Sequence, residues 1–148
     1  MKQVIIINGS GGSGKDTLVE LISSCRRVLN ISSIDNIRIA ANILGCNSKT
    51  EKDRAFLSDL KILSSKYYNH PYLYMSSRIM EFVEDDNELL FLHIREPEEI
   101  HSIKRFCELK GINVFALLIK REEVGIIKSN VADGNVENYD YDYVINND

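Results

Sequence analysis

Val4-Ile5-Ile6-Ile7-Asn8-Gly9-Ser10-Gly11-Gly12-Ser13-Gly14-Lys15-Asp16-Thr17 is the stretch from which the rest of the chain can be placed. A run of β-branched residues that breaks into glycines and then meets a lysine predicts a buried strand, a tight loop and the start of a helix. Gly9 and Gly14 stand at the spacing that turns backbone N–H groups inward on an anion, and Lys15 reaches the outer phosphates as a point charge. Residues 9–17 thus read as a phosphate-binding loop. A glycine-rich turn without a ligand is the competing reading, and the strand before and the helix after argue against it.

The usual form of this loop ends in Gly-Lys-Ser/Thr, where the hydroxyl ligates magnesium. Here Asp16 takes that place and Thr17 follows it. A carboxylate also holds magnesium, directly or through water, so both are candidate metal ligands.

The chain has 148 residues and a formal net charge of -4, which fits one domain with a real core. That charge gives no general reason to bind nucleic acid or an anionic membrane, so an anion site has to be a local gathering of Arg and Lys. Cys25, Cys46 and Cys107 lack the paired spacing of a zinc or redox site and are expected reduced and structural. With no apolar run of spanning length and no signal-like segment, a cytoplasmic protein is expected.

Working outward, a helix is predicted from near Gly14 to about Leu29, then a short strand Ile31–Asp35 and a short helix Ile37–Leu44 stopped by Gly45. Asp35 then lies at a strand's carboxyl end, where ligands of an open parallel sheet bind. It meets substrate or magnesium there, or else caps the helix that follows. Arg38, one turn on, faces the same cleft or solvent. Thr50 and Asp53 resemble a capping box opening a long helix with Phe56, Leu57, Leu60, Ile62, Leu63 and Tyr67 on one face. Lys52 and Arg54 in its first turn are candidates for a second phosphate, or a solvated turn. Pro71 opens a helix to about Glu84, and the tyrosines near this junction suit core packing at least as well as base stacking.

Glu88–Ile94 reads as a buried strand ending at Arg95, and Pro97 opens a helix to about Lys110. An arginine at that edge forks onto phosphate unless Glu96, Glu98 or Glu99 pairs with it. His93, inside an apolar strand, reads as a hydrogen-bonded core histidine. Ile112–Ile119 is another buried strand, closed by Lys120-Arg121. Residues 121–139 read as a flap and Tyr141–Ile145 as a last strand. The order predicts a three-layer α/β/α sandwich with a mostly parallel sheet, a single domain over 1–148 and a helical insertion over about 46–86.

With these residues assembled, the chain resembles the nucleoside monophosphate kinase branch of P-loop proteins. Its Ser-Gly-Lys-Asp-Thr run is most similar to phage-type deoxynucleoside monophosphate kinases and animal-type phosphomevalonate kinases, which also put Asp after the loop lysine. Members of that group carry a strand-end Asp-x-Arg where this chain has His93-Ile94-Arg95. The resemblance implies ATP on residues 9–17 and magnesium held by Asp16, Thr17 and Asp35. Lys15, Asp16, Arg95 and Arg121 would act in catalysis, and Asp35, Arg38, Lys52, Arg54 and Arg95 would bind a phosphorylated small-molecule acceptor. It also implies a monomer or homodimer that engages neither nucleic acid nor membrane. An ATP-binding sensor or assembly protein without phosphate transfer is the rival expectation.

Overall fold

The computed structural model describes residues 1–121 and 136–147. Strand β1 (Gln3–Asn8) runs into the glycine loop and helix α1 (Lys15–Ser23). Then come β2 (Val28–Ser32), α2 (Asp35–Ile43), α3 (Glu51–Tyr68), α4 (His70–Glu84) and β3 (Leu89–His93). The chain continues through α5 (Pro97–Leu109), β4 (Val114–Lys120) and β5 (Tyr143–Asn146).

The five strands form one parallel sheet in the order β2-β3-β1-β4-β5. From β1 the chain moves outward to β2, returns to β3, and crosses to β4 on the far side of β1. The strand order therefore reverses at β1, and a crevice opens beyond its carboxyl end. The glycine loop sits at that crevice.

Alternation along the strands divides the core into two faces. Val4, Ile6, Leu90, Leu92 and Ile94 pack with Met75, Ile79 and Phe82 of α4 and Ile100, Ile103 and Cys107 of α5. Ile5, Ile7, Phe91, Leu117 and Ile119 pack on Val19 of α1. Helices thus cover both faces of the sheet, as the sequence predicted. Among the described residues no helix is long and apolar enough to cross a membrane.

Three local expectations need correction. Helix α1 stops at Ser23 rather than near Leu29, because Val28 and Leu29 pair with Leu89 and Leu90 as the opening of β2. The strand accordingly ends at Ser32, and Asp35 is the first residue of α2, not the last of a strand. No glycine or proline separates helix from strand between Ser23 and Val28, so local punctuation was missing. The second correction concerns α3, which has no buried residue: Ile62 is 61% and Tyr67 67% exposed. Its apolar stripe is real in sequence, but α3 is an outer layer lying on α2 and α4. Third, only Cys107 of the cysteines is buried, and Cys25 is exposed.

The Thr50–Asp53 cap forms in half. Thr50 Oγ1 accepts from the Asp53 backbone N–H at 3.2 Å, whereas the Asp53 carboxylate turns back to Asn47 N, Ser48 N and Ser48 Oγ. Those three bonds hold the Asp53 carboxyl below its usual range.

Candidate phosphate-transfer site

The glycine loop is held in a shape that side chains would break. Gly9 has φ +155°, and a Cβ there would stand 2.5 Å from the Ile119 carbonyl oxygen and 2.6 Å from Ser13 Oγ. Gly14, at the N-terminus of α1, has φ +105°, and its Cβ would meet Asn147 Nδ2 at 2.5 Å. At Gly9 the backbone carbonyl and the backbone angle both demand glycine, and at Gly14 the backbone angle does. Asn8 fastens the root of the loop. Its Oδ1 accepts from Gly9 N at 2.9 Å, and its Nδ2 donates to the Arg95 carbonyl at 3.2 Å and to Tyr141 Oη at 2.8 Å.

Lys15 Nζ donates to the carbonyls of Gly9 (2.6 Å) and Ser10 (3.3 Å), which folds the ammonium over the loop. Burial lowers its pKa to about 8, helped by repulsion from Arg95 and opposed by Asp16. Gly12 to Thr17 line a cavity of about 440 Å³ together with Arg121 and Asn147. Ser13 Oγ is buried there with no hydrogen-bond partner among the described residues. An orphaned hydroxyl and a lysine at the N-terminus of a helix suit an anionic, hydrogen-bonding occupant such as a nucleotide phosphate.

A second group of charges gathers at the ends of β2 and β3. His93, Lys15, Asp16, Asp35 and Arg95 act on one another through space. Burial lowers the pKa of Arg95, and Arg38 adds repulsion while Glu96 opposes it. Arg38 is thus near enough to Arg95 to act on it electrostatically. Asp35 Oδ2 accepts from Ser32 N (3.0 Å) and from Tyr74 Oη (3.2 Å), so Asp35 braces its own helix start and also faces this cleft. His93 Nε2 lies 2.7 Å from Asn30 Oδ1, and burial lowers its pKa, in keeping with a neutral, hydrogen-bonded ring.

The fold thus brings Lys15, Asp16, Asp35, Arg38 and Arg95 to one side of the sheet and puts Arg121 against the loop's cavity. Lys52 and Arg54 are exposed on the first turn of α3, and the described contacts do not draw them into this group. The flap expected over 121–139 lies, for residues 122–135, outside the described residues. Of its remainder, Glu137 pairs with Lys120 at 2.7 Å.

Sequence reasoning missed Asn8, Tyr74 and Asn147. Asn147 N donates to the Lys120 carbonyl (2.7 Å), and its Nδ2 donates to the Ser13 carbonyl (3.0 Å), stitching the end of β5 onto the glycine loop. Its distance from the loop in sequence left no signal to find it by.

For magnesium, no three His, Cys, Asp or Glu side chains among the described residues converge into a cage. Asp16 and Thr17 share the lining of the loop's cavity, a carboxylate and a hydroxyl of the kind that suit magnesium shared with phosphate oxygens and water, and Asp35 does not line it.

No family model matches the chain, and no curated protein matches it in sequence. Solved structures do match its fold. An APS kinase from Mycobacterium tuberculosis, in complex with AMPPNP and APS, superposes with a TM-score of 0.53 at 14% identity, covering 99% of this chain and 89% of that one. TT1252 from Thermus thermophilus gives a TM-score of 0.53 at 16% identity, covering 99% and 89%. Sheet order and these matches define a three-layer α/β/α fold with a parallel sheet and a glycine loop after its first strand.

Proposed function

We propose that this chain is an ATP-dependent phosphotransferase that moves the γ-phosphoryl group to an acceptor already carrying a phosphate, a nucleoside or deoxynucleoside monophosphate. The observation that carries this reading is the pairing of two anion-seeking groups: the Gly9–Thr17 loop with Lys15, and the Arg38–Arg95 cluster beside Asp35. A protein that only holds ATP needs the first; transfer between two phosphates needs both. The fold it shares with a kinase bound to AMPPNP and APS supports the reading.

Phosphoryl transfer asks the protein mainly for positioning and electrostatic stabilisation, and such a site needs no protein nucleophile. The loop amides and Lys15 hold the β- and γ-phosphates, and Arg121 closes the cavity around them. Arg95 and Arg38 hold the acceptor's phosphate. Magnesium, held by Asp16, Thr17 and Asp35, neutralises charge shared by the phosphates. α3 and α4, within the segment of about 46–86, cover the acceptor side of a single cytoplasmic domain.

The test is ADP formation from ATP and magnesium in the presence of a panel of nucleoside and deoxynucleoside monophosphates and phosphomevalonate. Acceptor-stimulated ADP, abolished in Lys15→Ala, is the expected result. No stimulation by any acceptor rejects the proposal.

A second reading draws on His93, a half-buried ring bonded to Asn30 where the resembled kinases carry an acid. The chain would then be an ATP-binding sensor. Tight AMPPNP binding without turnover selects it.

A further inference from the structure

The sequence leaves Arg95 with three glutamates as near neighbours, Glu96, Glu98 and Glu99. In the folded chain two of them are claimed from far away. Lys61, on α3, places its Nζ in contact with Glu96 Oε2 and 3.1 Å from Glu99 Oε2. Its side chain is only 13% exposed and that of Glu99 21%. One ammonium thus serves two carboxylates at the first turn of α5, in a place water reaches poorly.

This cluster is under electrostatic tension. Burial raises the pKa of Glu99 and the neighbouring Glu96 charge adds to it, while Lys61 opposes both. Glu99 Oε1 is buried with no hydrogen-bond partner among the described residues. Glu96 also favours the charged form of Arg95, so its carboxylate acts on Lys61 and Arg95 at once. Without Lys61, the excess negative charge would turn on Arg95 and compete with any anion there.

We propose that Lys61 is a positioning residue for the acceptor's phosphate. It ties Glu96 and Glu99 to α3, and so keeps the field around Arg95 attractive to an incoming phosphate while it pins the helical cover to the edge of the site. The inference rests on the two-anion reading above.

Calorimetry on the full chain, saturated with AMPPNP and magnesium and titrated with inorganic phosphate, tests it. The wild type should bind phosphate and Arg95→Ala should lose it. Lys61→Met should weaken phosphate binding about tenfold, the effect of one uncompensated charge at short range, with AMPPNP affinity unchanged. Lys61→Arg should retain binding, and Lys61→Met combined with Glu96→Gln should recover most of it. A merely structural lysine would change the melting temperature in these variants and leave phosphate affinity where it was. If circular dichroism shows Lys61→Met unfolded, Glu96→Gln alone decides: it should bind phosphate at least as tightly as wild type. Wild-type binding in Lys61→Met, weakened binding in Glu96→Gln, or no Arg95-dependent phosphate binding in the wild type overturns the inference. The expected phosphate pattern with no ADP from any acceptor would instead sink the kinase reading and leave the role of Lys61 standing.

Discussion

Lys15 carries an ammonium that burial and Arg95 already press toward neutrality, to about 8. Polyphosphate beside it stabilises the charged form, so its pKa is higher in the complex than in the free protein. Between those two values, binding takes up a proton. AMPPNP affinity should therefore be level below pH 8 and fall above it, by up to about tenfold per pH unit. Calorimetry in buffers of different ionisation enthalpy should show proton uptake at about pH 8.5 and almost none at about pH 6.5; a flat profile would remove Lys15 from the phosphate contacts. The sign for folding is separate. The folded pKa lies below the unfolded value of 10.5, so the unfolded chain binds more protons between about 8 and 10.5, and this group's effect on stability improves as pH rises through that window. Lys15 and Asp16 were legible in sequence because a local spacing of glycines defines their job. Asn8 and Asn147 were not, since an asparagine has no spacing rule and each acts on partners distant in the chain.

At the scale of elements, helical periodicity marks which face is apolar but not what that face meets. α4 and α3 both carry apolar residues at helical spacing, although the stripe of α3 is the weaker. Phe82 of α4 is fully buried against the sheet under the ammonium of Lys2, 4.5 Å from its ring centre, whereas Ile62 of α3 is 61% exposed. Urea unfolding should accordingly show Phe82→Ala losing about 3–5 kcal/mol and Ile62→Ala within about 0.5 kcal/mol of wild type. Comparable losses at the two positions would contradict the outer placement of α3. The same limit explains Asp35. Strand and helix patterns met near it without a breaker, so only pairing of Val28–Ser32 with Leu89–His93 decided where one ended and the other began.

For the molecule as a whole, a two-anion crevice makes a thermodynamic prediction that needs no turnover. AMPPNP with magnesium should raise the melting temperature, since a ligand at 100 times its Kd stabilises by about 2.7 kcal/mol. A nucleoside monophosphate should add a further rise with AMPPNP present and less without it. Additive shifts independent of order would argue against one shared crevice. The amino-acid sequence by itself determined the parallel α/β class, the glycine loop between strand and helix and the positive strand ends, because β-branched runs, a glycine spacing and Pro97 act within a few residues of themselves. Only the tertiary structure decided that Arg38 and Arg95 stand close enough to repel, that Asn147 rests on the loop, and that Lys61 takes the glutamates beside Arg95. Those are through-space encounters created by strand order. Charge acts over distance in three dimensions, and a linear pattern does not record which distant charges the fold will make neighbours.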